Sequence, residues 1–495
     1  MGVMKFRLPP SGYSEADLQR AYVTGPDRTP TPGHVDLRGG TMLIRRNANE
    51  SGRVVLPWQV EGSGIPILNT ATLSERFEPY ELLVELARGT LNDVQNQVAD
   101  WQQVGLAISQ NLKLHLHEAR HAFARAATTR DQPEVVQPAA QASIRYAVKA
   151  GRLLVESYVS QLLERRQEHG RRLQTLLSID LDGPPKTKPW SAQTLEVINS
   201  ARVHCSWAAL VPDSGRYRWE VSDAQLHWAR KRHLTPTAGP LIDMRPGALP
   251  DWLWLWQGDY EEITTQAIDL VRHALGRYRG KVAVWHLVHR PASHEVLGLS
   301  EEEQVRLTAR IVQVARQIDP DVQLVVDFDR PWADWMATSS YQLGPLHLAD
   351  SLARADLGLS GVGIEIAPTY TPWGSPLREL FDFSRLLDLF ALVNLPVHVS
   401  FAFPSDVPAP LPGQPEVEAR QWPRPPDEAL QREWASQWVS LAVAKPFVRS
   451  VHWLEPSDAS PRLYPASGLF RANHTPKPVF QWLREFRKQV LSPET

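Results

Sequence analysis

Residues 282–329 read VAVWHLVHRPASHEVLGLSEEEQVRLTARIVQVARQIDPDVQLVVDFD. Two short apolar runs, VAVWHLV and VQLVVDFD, bracket Glu301–Gln317, an amphipathic stretch with the spacing of a helix. That is the pattern of two parallel strands joined by a helical crossover. The same rhythm recurs on both sides. LLSIDL (176–181), VHCSWAAL (203–210) and TPTAGPLIDM (235–244) precede this unit; GVGIEI (361–366), LPVHVSFAF (395–403) and VRSVHWLE (448–455) follow it, with amphipathic Leu377–Leu392 among them. Eight such strands in the last two-thirds of the chain fit an α/β fold of the (β/α)8 TIM-barrel type, over residues 173–490, better than a doubly wound sheet.

Two segments of different texture come first. Residues 1–80 hold short apolar pieces (Met42–Ile44, Val54–Trp58, Ile65–Leu68) between Gly, Pro and Asn signals. They read as a β-rich unit with hairpin turns at Asn49–Gly52 and Gly62–Gly64. Residues 81–172 are nearly free of Gly and Pro inside their apolar-periodic stretches, which implies a helical hairpin or small bundle broken at Pro133 and Pro138.

Composition excludes several classes. The 495 residues carry 53 basic and 55 acidic side chains, a formal net charge of -2. Neither a nucleic-acid nor a membrane partner is expected from that balance. One cysteine, Cys205, leaves no disulfide framework and no cysteine-rich metal site. No signal-peptide pattern opens the chain and no run of eighteen apolar residues occurs, so a cytoplasmic location is expected. No G-x-G-x-x-G or G-x-x-x-x-G-K-[ST] follows a strand, and no cofactor is expected. The 18 tryptophans suit sugar-stacking clefts as well as a large core.

Order and spacing along the barrel carry a family resemblance. Trp207, Val211-Pro212, Gly215, Tyr217-x-Trp219 and Asp223 mark the second-strand stretch. Gly239-Pro240-Leu241 and Pro250-Asp251-Trp252 mark the third strand, and Arg277-Tyr278-x-Gly280 before Val284-Trp285-His286 marks the fourth. Leu395–Ser400, Trp453 and Thr475-Pro476-Lys477-Pro478 complete the series. Together they resemble glycoside hydrolase family 10, the xylanase-type retaining glycosidases. The resemblance implies a β-linked carbohydrate as ligand, and an N-terminal unit analogous to the carbohydrate-binding modules that precede such barrels. It also places Arg290 at the family's acid/base glutamate and Phe401 at its nucleophile, while Ser206, Val211, Pro240 and Arg245 stand where the family binds sugar. A guanidinium gives up no proton at neutral pH and a phenyl ring is no nucleophile. The expectation is therefore a barrel that acts on or binds a carbohydrate, or a non-catalytic glycan-binding scaffold.

In such a barrel function gathers at the carboxyl ends of the strands. The polar residues there are Asp180, Asp243, His286, His289, Asp327, Asp329, Glu365, His398, His452 and Glu455. Asp329 and Glu365, on adjacent strands, form the candidate displaced catalytic pair. Their alternative is pairing with Arg245, Arg290 or Arg330. Asp243, His286, His289, Arg290 and His398 are candidate substrate contacts, with Trp252, Trp285, Trp332, Trp373 and Trp453 as stacking platforms. The histidines could in principle ligate a metal with Asp243 or Glu365, but hydrogen-bonded interior histidines are the plainer reading and no metal is assigned. His117-Glu118-Ala119-Arg120-His121 satisfies H-E-x-x-H, yet Arg120 fits an exposed helix face better than a buried zinc helix, and the match is read as coincidence. The Pro-rich loop 404–426 is long for a barrel connection and is expected to be a lid or a subunit contact.

Overall fold

The computed structural model describes residues 2–47, 49–129, 132–168, 172–185, 191–459, 461 and 463–491. Eight parallel strands close into a ring: β1 (Leu176–Asp180), β2 (Ser200–Val203), β3 (Thr235–Ala238, continued at Ile242–Asp243), β4 (Val284–His289), β5 (Gln323–Phe328), β6 (Gly361–Ile366), β7 (Val397–Phe401) and β8 (Val448–Trp453). β8 pairs back onto β1, and β3 pairs with β4, so no edge remains. This is the (β/α)8 barrel.

One strand differs from the sequence reading. VHCSWAAL was expected to be β2; the strand is Ser200–Val203, and Trp207–Leu210 is a helical turn. Arg202 disguises the strand, because its guanidinium points to Asp180 on β1 rather than to solvent.

The helices outside the ring follow from amphipathic sequence. Glu301–Ile318 begins with a capping box in which Ser300 and Glu303 satisfy each other's backbone amides. Leu380–Ala391 lays Phe383, Leu387 and Phe390 on the barrel, and Glu428–Ala444 adds Trp434 and Trp438.

Before the barrel come three helices, α1 (Leu82–Gln103), α2 (Gln110–Thr128) and α3 (Pro133–Arg166). Pro138 does not break the segment; it sits inside α3. Val94, Trp101, Leu116 and Leu154 from these helices join the same apolar core as the barrel. Arg152 of α3 grips Glu379 through two bonds of 2.6 and 2.8 Å, and Gly151 lets α3 approach Phe381.

Residues 2–81 form two four-stranded sheets. The strands flanking Gly62–Gly64, Arg53–Pro57 and Ile67–Asn69, do pair as a hairpin. Those flanking Asn49–Gly52 belong to different sheets, so that turn crosses between sheets instead. The tight turn of the first sheet is Gly39-Gly40, where both residues have positive φ (52° and 75°), a backbone glycine adopts without steric cost.

The loop 404–426 is fastened along its second half. Glu416–Val417 pairs with Tyr370–Thr371, Trp422 donates its indole N–H to Thr369 (2.8 Å), and Arg420 forms two bonds to Asp17 (2.6 and 2.9 Å). It straps the N-terminal sheets to the barrel. Among the described residues, no helix is long and apolar enough to cross a membrane.

Candidate ligand site at the barrel mouth

Strand alternation sends every second side chain into the ring. Deep inside, these side chains are polar and paired. Asp180 accepts from Arg202 (2.5 and 3.0 Å) and from His452 (2.5 Å). His286 donates to Asp327 at 2.9 Å, and His398 Nδ1 lies 2.8 Å from the Ser450 hydroxyl. Gly363 makes room for this layer, since a Cβ there would run into the Asp327 carboxylate. Burial would raise the Asp327 carboxyl, but His286, His289 and Arg202 together, His286 foremost, hold the acid well below the usual range. Burial pushes His398 down to about 3, with the neighbouring His286 adding to the effect. Burial, followed by the charge of Arg202, brings His452 to about 4.

One layer higher, Arg290 directly follows β4 in a left-handed backbone conformation, φ 62°. It is 1% exposed and sits among three carboxylates. Nη1 donates to Asp243 (2.9 and 3.0 Å), Nη2 donates to Glu365 (2.7 Å), and Nε lies 3.8 Å from Asp329. Asp329 is also bonded to Arg330 at 2.9 Å. The Tyr464 hydroxyl donates to the same Glu365 oxygen (2.5 Å). Arginine only donates, so His289 Nδ1, 3.1 Å from Arg290 Nη1, must accept. That fixes the His289 proton on Nε2, 3.5 Å from the other Glu365 oxygen.

Burial alone would raise the carboxyls of Asp243 and Asp329. The guanidinium of Arg290 holds Asp243 well below the ordinary value, and those of Arg330 and Arg290 lower Asp329. Burial would likewise lower the Arg290 guanidinium, and the surrounding acids, Asp243 and Glu365 foremost, raise it instead.

A cavity of about 250 Å³ opens over this cluster, lined by Asp243, Arg245, His289, Arg290, Glu365 and Tyr464. Ser206 reaches it beside His204, with Ser206 Oγ 3.1 Å from His204 Nε2. Of the polar strand-end residues singled out from sequence, Asp180, Asp243, His289, Arg290, Glu365 and Glu455 line it, together with Arg245. Asp329 is packed beneath, 1% exposed and outside the lining. His286 and His398 lie in the deeper layer.

The tryptophans do not form a platform in this cavity. Trp285 is fully buried and faces outward onto Tyr278 of the helix Tyr260–Tyr278. Trp453 also faces out, against Phe403, with its N–H bonded to Ser467 O at 2.9 Å. Both follow from alternation: an inward His286 or His452 sends its neighbour outward. Trp252 spends its N–H on Val211 O (2.8 Å) and meets Trp207 edge-on, while its neighbours Trp254 and Trp256 are the exposed ones. Trp332 lies under the Arg378 guanidinium against the N-terminal sheets, and Trp373 meets His294 edge-on. Phe401, too, points out of the ring, between Phe383 and Phe403. The inward side chain there is Ser400.

Arg202, His204 and Tyr464 were not legible as site residues. Alternation within Ser200–Val203 could have flagged Arg202, whereas Tyr464 comes from an irregular loop. Among the described residues no three His, Cys, Asp or Glu side chains are placed to hold a metal. His117 and His121 are exposed on α2.

No family model matches the chain. It is 20% identical over 301 residues to endo-1,4-beta-xylanase B of Thermotoga neapolitana, covering 58% of this chain and 79% of that protein. A xylanase of Cellvibrio japonicus, solved with xylopentaose, has a TM-score of 0.50 at 14% identity, over 65% of this chain and 68% of that one. Xylanase 10B of Thermotoga maritima gives 0.49 at 16% identity, over 67% and 97%. In barrel fold and in distant sequence similarity, the chain thus resembles the family 10 xylanases.

Proposed function

We propose that the barrel binds a β-linked carbohydrate at its mouth and does not cleave it with a carboxylate pair. The observation that carries this reading is Arg290, buried and bonded to Asp243 and Glu365 at once. Retaining hydrolysis needs one carboxyl that keeps its proton and one that is free to attack, ~5–5.5 Å apart. Asp243 and Asp329 are held low and carry no proton at neutral pH. Glu365 spends one oxygen on Arg290 and Tyr464. What the mouth offers a ligand is hydrogen bonding of both senses: the Arg245 guanidinium donates and the carboxylate of Asp243 accepts. Sugar hydroxyls match such a mixed surface. The likeness to a barrel solved with xylopentaose supports the ligand class.

Calorimetric titration with xylohexaose and cellohexaose, run beside a reducing-end assay, tests this. Binding without new reducing ends is expected. Turnover that disappears in both Glu365→Gln and Asp329→Asn would overturn it and restore those two acids as a displaced catalytic pair.

A further inference from the structure

A second cavity, about 410 Å³, lies where the N-terminal sheets meet the functional face of the barrel. The N-terminal wall is Gln19–Tyr22, Gly33–Val35 and Ile67. The opposite wall comes from the loops after β5, β6 and β7, including Trp335, Thr338, Ser375 and Gln421. It shares no lining residue with the mouth cavity.

The walls are fixed to one another. Ile65 N donates to Gln421 O (2.7 Å), Ile67 N donates to Leu377 O (3.0 Å), and Arg20 pairs with Glu418 (3.0 Å). Tyr22, Asp334 and Arg378 form a bonded trio across the seam. A cavity held this way needs little ordering before a ligand enters.

Its chemistry selects the ligand. The charges on its walls are internally balanced: Arg330 by Asp329, Asp334 by Arg378, Arg20 by Glu418. An anion would find no spare cation among these, and a cation no spare acid. His34 lies 3.2 Å from Asp36, and Thr371 and Gln421 both bond Glu418. The remaining polar groups are the Gln19 amide and the Thr338 and Ser375 hydroxyls. The half-buried Trp335 adds an indole; Ser375 Oγ and Trp335 Nε1 are themselves buried and have no partner. Amides, hydroxyls and an indole are the groups that recognise a neutral polyol. Arg330 joins the two cavities. Its Nε bonds Asp329 beneath the mouth, and its guanidinium lies 5.4 Å from the Trp335 ring centre.

We infer that this seam is a second carbohydrate site, taking a neutral oligosaccharide between the N-terminal sheets and the barrel. It stands apart from the mouth reading, because separate residues line it.

Xylohexaose, cellohexaose and mannohexaose are titrated into the full chain and into Trp335→Ala, Thr338→Trp and Arg245→Ala, with melting temperature followed in each. Thr338 is an exposed rim residue, so Thr338→Trp fills the cavity without touching the core. A site whose Kd rises about tenfold or more in both seam variants, at unchanged melting temperature, and is unmoved by Arg245→Ala is the expected result. Two results overturn the inference: no hexaose binds the full chain, or one binds with a Kd that neither seam variant changes. A ligand lost only in Arg245→Ala belongs to the mouth and likewise counts against the seam.

Discussion

Two polar layers are stacked inside one barrel, and they solve the same problem differently. The deeper one is built from small closed units, in which one carboxylate or hydroxyl meets one or two cations or imidazoles: Asp180 with Arg202 and His452, Asp327 with His286, Ser450 with His398. The layer at the mouth gathers three carboxylates around one guanidinium, Arg290, which bonds Asp243 and Glu365 and lies 3.8 Å from Asp329; Asp329 has its own bond from Arg330. Buried ions persist only when paired. In the lower layer that requirement is spread over several units; at the mouth it falls mainly on one side chain. Loss of one lower unit therefore leaves the others paired, whereas loss of Arg290 takes the nearest cation from Asp243 and Glu365 together. It follows that acids and histidines at strand ends do not by themselves mark catalysis, since both layers contain them.

The sharpest way to break this comparison is Arg290→Met. It leaves Asp243, Asp329 and Glu365 without their shared partner, and removing one side of a buried ion pair costs about 3–5 kcal/mol. Urea unfolding should show a loss of that size, or a chain that does not fold. A loss under about 1 kcal/mol, the scale of an exposed pair, would mean that the cluster is hydrated and the contrast between layers is wrong.

The deeper layer is exposed by acid. His398 and His452 stay neutral in the folded barrel down to about 3 and about 4, whereas in the unfolded chain a histidine takes a proton near pH ~6.5. Between those limits the unfolded state binds more protons, so stability must fall as pH drops below ~6.5, by about one proton's slope per histidine. The depressed acids Asp243, Asp327 and Asp329 contribute stability above their unfolded value, near ~3.9, that is lost only as pH falls below it. Urea midpoints from pH 7 to 4 should therefore slope in the full chain, and His398→Gln should reduce that slope by one proton. An unchanged slope in the variant would show that His398 is not held neutral.

The fold was legible because β4, β5 and β6 are largely apolar runs buried on both faces, and Arg202 inside a strand hid only β2. The acids and histidines of both layers were legible as well, from their place at strand ends. What failed was the side on which each residue lies. Trp285 beside His286, Trp453 beside His452 and Phe401 beside Ser400 are outward by alternation, yet their aromatic character suggested a cleft. Register decides this, not residue type. Tyr464 and the cavity at Trp335 depend on loops and on a contact between segments more than 290 positions apart, such as Tyr22 with Asp334, which no local pattern encodes.

The smallest effect on stability sharpens the comparison most finely, because it separates holding the barrel from facing a ligand. Arg245 lines the mouth cavity, and its ion pair with Asp243 is a long 3.7 Å contact. Asp243 keeps its two bonds from Arg290 when Arg245 is removed. Arg245→Ala should then cost less than about 1 kcal/mol in urea unfolding, as for a weak, partly solvated pair. A mouth ligand, by contrast, loses a planar donor it has no substitute for, and a hydrogen bond from a charged group is worth about 1.5–3 kcal/mol. The titration should accordingly show at least about a tenfold weaker mouth site in a protein of nearly unchanged stability. If instead stability falls by several kcal/mol, Arg245 belongs with Arg290 as part of the scaffold, and the boundary between structural and ligand-facing charge lies one residue further out.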